Sequence, residues 1–144
     1  MKLFENLTAK ENEALPKFPV YITFLVAFKD YEPDENEKKT AIKYINEQTF
    51  ACDPLLVEFY NEAEKAFENN MEQLDKDLPK GNAGREAAIK KELLNLEKIA
   101  LKLGNEYTSA LNRSMNSFKD HVSKANHNAF VNFIVPVTIP GITE

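Results

Sequence analysis

Apolar positions recur at three- and four-residue intervals along nearly the whole chain, and alternation with period two never persists beyond a few residues. Such spacing puts one apolar stripe on each of several successive helices, which predicts an all-α fold. Thr8 followed by Glu11 has the spacing of a capping box, in which hydroxyl and carboxylate each satisfy a terminal backbone N–H. Pro16 ends or bends this first helix. Pro19, permitted in a first turn, opens a second that carries Val20, Ile22, Phe24, Leu25 and Phe28. That segment is apolar on nearly every side, so it is expected to be the central, most buried helix.

Asp34 and Glu37 repeat the capping-box spacing, and Ala41, Ile42 and Ile45 then mark one face of a third helix. Asp53-Pro54 places a capping carboxylate ahead of a first-turn proline and predicts a fourth start. From there Leu55, Leu56, Phe59, Tyr60, Ala63, Phe67, Met71, Leu74 and Leu78 hold helical spacing, with Glu58, Glu62, Glu64, Glu68 and Glu72 outside. Residues 79–84 (Pro-Lys-Gly-Asn-Ala-Gly) are the clearest break. From Arg85 a further stripe runs through Ile89, Leu93, Leu96, Ala100 and Leu103. It continues in phase to Ala125, across a kink or tight join at Gly104-Asn105. Beyond Phe130, Pro136, Pro140 and their β-branched neighbours predict an extended C-terminal strap over residues 131–144. Taken together, residues 1–144 read as a single-domain orthogonal helical bundle of about six or seven helices.

Composition narrows the function classes more than it names one. A chain of 144 residues with 43% hydrophobic and 28% charged residues is an ordinary globular domain. Eighteen basic against 23 acidic residues give a net charge of −5. That balance opposes a nucleic-acid surface, which needs clustered Lys and Arg to displace counterions. One cysteine, Cys52, excludes an internal disulfide and a multi-cysteine zinc site. The N-terminus lacks a signal-peptide core, and no apolar run approaches the ~20 residues that span a bilayer, so the expected location is cytoplasmic, with no membrane partner.

The densest chemistry lies at residues 30–37, where Asp30, Glu32, Asp34, Glu35 and Glu37 crowd one inter-helix corner. Hard cations such as Ca²⁺ or Mg²⁺ take carboxylate oxygens, and Asp30, Asp34 and Glu37 form the candidate metal set. The EF-hand pattern fails, since Glu35 stands at its glycine position and Ala41 at its bidentate glutamate position. Equally, Asp34 and Glu37 have a sufficient task in starting a helix. The stretch from Ala27 through Phe28, Lys29, Asp30, Tyr31, Glu32, Pro33, Asp34, Glu35 and Asn36 to Glu37 resembles the Ala/Asp/Gly corner of TerB-like (tellurite-resistance B) domains. There an Ala/Asp/Gly turn precedes the acids that open the next helix. The resemblance implies an all-helical, non-catalytic module with metal-linked acidic surfaces, associated with stress responses. Asp30 matches its motif aspartate; Asp34 and Glu37 match the following acids. Tyr31 replaces the usual glycine, which implies a different turn or a tyrosine forced into a strained conformation.

Other constellations are weaker. His121 follows Asp120, but His127 lies about 120° away around a helix, so joint ligation is awkward and a surface role is expected. Lys90, Lys91, Lys98, Lys102 and Arg113 form a basic stripe expected to face the fourth helix's glutamates. Gly81 to Arg85 lacks the lysine and hydroxyl residue of a phosphate loop. The aromatics, Phe28 among them, sit at core-like spacings. No nucleophile–base pair or histidine triad is legible, which argues against an enzyme. Two readings follow: a cation-binding TerB-like module, or a ligand-free interaction or scaffold domain. The second would use its acidic face or apolar tail, the tail strapping its own bundle or docking on a protein partner or second subunit.

Overall fold

The computed structural model describes residues 4–131, with side chains through residue 125. Among these the chain is helical, with no strand. Helix α1 (Ala9–Ala14) starts at the expected capping box, Thr8 and Glu11 exchanging bonds of 3.0 and 3.1 Å. Pro16 does not break the chain. It sits in a 3₁₀ turn, Leu15–Lys17, that runs directly into α2 (Phe18–Leu25), so α1 and α2 form one bent rod. Buried Asn12 ties the preceding segment to this rod by bonding both the N–H and the carbonyl of Phe4.

Helix α2 is the central element: it packs against α3 (Glu35–Ala51), α4 (Val57–Asp77), α5 (Asn82–Leu101) and α6 (Asn105–Val131). Phe18, Val20, Ile22 and Phe24 are buried within it. Sequence periodicity extends this helix too far, because α2 stops at Leu25 and Phe28 lies in the corner beyond, 56% exposed. Around α2, α3 pairs with α4 and with α6, closing the core over Phe59, Tyr60, Phe67, Leu111 and Phe118.

Two boundaries differ from the sequence reading for local reasons, and a third settles on one of its alternatives. Asp53 caps as expected, accepting from Leu55 N–H at 2.9 Å, but a 3₁₀ turn over Pro54–Leu56 precedes α4. Helix α5 starts at Asn82, three residues before Arg85, because Gly81 with φ 92° absorbs the reversal and Gly84 continues as helix. Between α5 and α6 there is a tight join rather than a kink. Gly104 takes φ 97°, open to glycine at little steric cost. Thr108 Oγ1 then donates to the Ala100 carbonyl at 2.8 Å across the join.

Helix α6 runs to Val131, so the first residue of the predicted strap is helical; residues 132–144 lie outside the described residues, as does the His127 side chain. The basic stripe, which runs from α5 onto α6, makes no ion pair with α4's glutamates among the described residues. Lys90 bonds Glu86 on its own helix at 2.8 Å, Lys102 pairs with Glu11 of α1, and Arg113 donates to Ser109. Exposed His121 leans on Tyr44, ring centroids 5.0 Å apart. No described helix is long and apolar enough to cross a membrane.

Burial raises the phenol pKa of Tyr21 to about 12, and lifts those of Tyr60 and Tyr107 further, well above the ordinary range. A folded pKa above the unfolded value of about 10 stabilises the fold at every pH below that value, and the contribution is lost as pH rises through the folded pKa. Alkaline titration followed by phenolate absorbance should therefore show these tyrosines ionising late. Urea midpoints should be level from neutrality to about pH 10 and fall beyond it. Tyrosines that all titrate near the free-phenol value would contradict this packing.

Candidate functional site

The acidic corner joins α2 to α3 through residues 26–34. Its rear half is a completed capping box. Asp34 Oδ1 accepts from Glu37 N–H at 2.8 Å, and Glu37 Oε1 accepts from Asp34 N–H at 2.8 Å. Glu37 is 1% exposed, and its second oxygen accepts from the Phe28 N–H at 2.8 Å. Both carboxylate oxygens thus hold backbone donors of the turn, and Glu37 stitches the turn's entrance to its exit.

The front half takes its shape from α5. Asp30 and Tyr31 both adopt φ 55°, the left-handed region. Aspartate tolerates that conformation better than most residues, whereas for tyrosine it costs about 1 kcal/mol or more. A strained tyrosine is one of the two alternatives stated above for position 31; what restrains these residues is visible only in three dimensions. Asn82 Nδ2 donates to Asp30 Oδ1 at 3.1 Å, and Arg85 Nε donates to the Tyr31 carbonyl at 2.9 Å. The Tyr31 hydroxyl meets Glu86, whose carboxyl is held below its ordinary pKa by Lys90 first and by Tyr31 second. Asn82, Arg85 and Glu86 share one face of α5's opening turns, the i, i+3, i+4 spacing that aligns side chains.

Arg85 is the residue that sequence reasoning passed over. Its side chain is only 6% exposed, and Nη2 bonds Asp75 Oδ1 of α4 at 2.7 Å. Its guanidinium carbon lies 5.2 Å from the Phe24 ring centroid, over the central helix. A usable signal existed: arginine occurs only twice among eighteen basic residues, and arginine is favoured over lysine in buried ion pairs.

Asp30, Asp34 and Glu37 thus belong to one turn, each carboxylate already accepting a hydrogen bond. Among the described residues no group of three or more His, Cys, Asp or Glu side chains is placed to hold a metal ion. Cys52, half-buried at the end of α3, has its thiol pKa pushed up by burial, away from nucleophile activation.

Beside the corner, a cleft of 440 Å³ lies between α3 and α4. Phe24, Pro33, Ile42, Phe67 and Met71 supply its apolar floor, while Glu32, Glu35, Glu68 and Glu72 stand exposed at its rim with Lys38 and Lys39. Comparison of the chain with protein-family models, with curated proteins and with solved structures found no match in any of the three. The TerB-like resemblance therefore rests on the sequence itself, chiefly on the corner residues.

Arg85→Ala removes an ion pair, a hydrogen bond to the strained turn and a cation–π contact together. Since Asp75 is half exposed and can rehydrate, the expected loss is roughly 2–3 kcal/mol in urea unfolding, below that of a fully buried pair. Arg85→Lys keeps the charge without the planar fork and should recover less than half of it. Equal stability of all three proteins would remove Arg85 from this role.

Proposed function

We propose that this chain is a non-catalytic, TerB-like module, built as an orthogonal helical bundle, that acts by binding a partner protein. The cleft between α3 and α4 receives a basic, amphipathic stretch of that partner. The observation that carries this reading is an apolar floor beneath a carboxylate rim. Glu68 and Glu72, four residues apart on α4, repel each other along one helix face, and a bound Lys or Arg relieves that repulsion. Apolar side chains in the floor supply affinity, and the rim supplies steering and selectivity. A link to stress response belongs to the same proposal through the TerB resemblance, and the cytoplasmic setting expected from the sequence goes with it.

Divalent-cation binding at Asp30, Asp34 and Glu37 is a second reading, favoured by the exposure of Asp30 and Asp34 on one turn. With both oxygens of Glu37 bonded to turn N–H groups, a cation there would lean on the two aspartates and on carbonyls.

Two titrations separate the readings. A synthetic amphipathic Leu/Lys peptide, followed by calorimetry, should bind, and binding should weaken with added salt. Reversing the rim with Glu68→Lys and Glu72→Lys should lower affinity about tenfold or more. No binding, or binding indifferent to the reversal, refutes the cleft. Chelator-treated protein titrated with Ca²⁺, Mg²⁺, Mn²⁺ or Zn²⁺ tests the other site. Uptake abolished by Asp30→Asn with Asp34→Asn establishes it, and no uptake, or uptake unaffected by those changes, eliminates it.

A further inference from the structure

Helix α5 keeps one face out of the bundle. Ala87, Lys91, Leu94, Lys98 and Leu101 recur at intervals of three and four, so they share one stripe of the helix, and all five are exposed. The stripe lies opposite Ile89 and Leu96, which are fully buried. Leu94 and Leu101, seven residues apart, are each 60% exposed. A single surface leucine is ordinary, but two on one stripe with two lysines make a basic, amphipathic ridge.

The lysines of that ridge are not neutralised within their own helix. Lys38, Lys65 and Lys90 each pair with a glutamate three or four residues before them. At those spacings Lys91 has Ala87, Ala88, Leu94 and Asn95. Lys98 has Leu94, Asn95, Leu101 and Lys102. Neither lysine forms an ion pair among the described residues.

The α3–α4 cleft is the converse surface. Its apolar floor runs on from Ile42 and Phe67 to Ile45, and Glu64 extends the α4 rim formed by Glu68 and Glu72. Those three glutamates form no ion pair among the described residues. On the α3 side Lys38 is engaged by Glu35 at 4.0 Å, and Lys39 stands exposed beside it. The dimensions agree. Glu64 to Glu72 is about 12 Å along α4, while Lys91 to Lys98 and Leu94 to Leu101 are each about 10 Å along α5.

On the cleft reading above, we infer that the stretch received by the α3–α4 cleft is α5 of a second copy of this chain. Leu94 and Leu101 lie over Ile42, Phe67 and Met71, as helix anchors in a groove do, and Lys91 and Lys98 reach the glutamates of the rim. Stripe and cleft belong to different helices, so each copy offers one of each and the contact is head-to-tail. A single helix face buries a modest area, which makes the association dependent on concentration and sensitive to salt.

Sedimentation equilibrium of the full-length protein reads this directly. The average mass should exceed the 16.4 kDa of one chain, rise with concentration and fall back with added salt. Lys91→Glu with Lys98→Glu should hold the protein at one chain with its helicity unchanged, and so should Glu68→Lys with Glu72→Lys. Leu94→Gln with Leu101→Gln should weaken association several-fold. Mixing the two charge-reversed chains should restore association, because the mixture again holds matched stripes and clefts. A mass fixed at one chain for the parent at every concentration overturns the inference. If the Leu/Lys peptide nevertheless binds, the cleft reading stands without this partner, whereas silence in both assays removes both. Association that survives either reversal, or a mixture that stays monomeric, overturns it as well.

Discussion

The burial of the Arg85 guanidinium is the constraint on which the corner, the α4–α5 loop and the central helix all depend. A charge withdrawn from water needs partners in the protein, and Arg85 finds three hydrogen-bond acceptors and a ring in four places. Asp75 comes from α4, the Pro79 carbonyl from the loop, the Tyr31 carbonyl from the corner, and the Phe24 ring from α2. A shift of the corner or of the loop would withdraw a carbonyl from a buried donor, and a shift of α2 would remove the ring from beneath the guanidinium. The planar fork explains why arginine stands here, since an ammonium cannot face a carboxylate, two carbonyls and a ring from one position.

That clamp makes the strained turn affordable. Left-handed backbone at Asp30 and Tyr31 costs of order 1–2 kcal/mol per non-glycine residue. A hydrogen bond to a charged donor contributes about 1.5–3 kcal/mol, so the Arg85 bond to the Tyr31 carbonyl can offset much of the strain. Asn82 on Asp30 and Glu86 on the Tyr31 hydroxyl add to the same side. A glycine at position 31 would relax the backbone but would forfeit the phenol that reaches α5. The corner is thus shaped from outside, by the opening turns of a helix some fifty residues away, rather than by its own turn chemistry.

Much of the local architecture was legible, because caps are local physics. Thr8 with Glu11 and Asp34 with Glu37 are pairs three residues apart, and both formed as their spacing implies. The centrality of α2 followed from a segment apolar on all sides. Misjudged features were those in which neighbours outvote periodicity. Phe28 continues an apolar stripe but falls past the helix end, and Gly81 absorbs a reversal that hid three residues of α5. Lys90 found its partner on its own helix and Lys102, just past the end of α5, found one on α1, since α5 packs chiefly against α2.

The candidate site divides along the same line. Sequence by itself determined that acids would crowd one corner and that two of them would start α3. Those statements need only spacing and charge. Tertiary structure alone decided that Glu37 would be buried across the turn, that Asp30 would meet Asn82, and that Arg85 would be the hub. It also decided that an apolar floor from α2, α3 and α4 would lie beneath an acidic rim. These depend on which helices lie side by side, and packing over long chain separations leaves no periodic trace in the sequence.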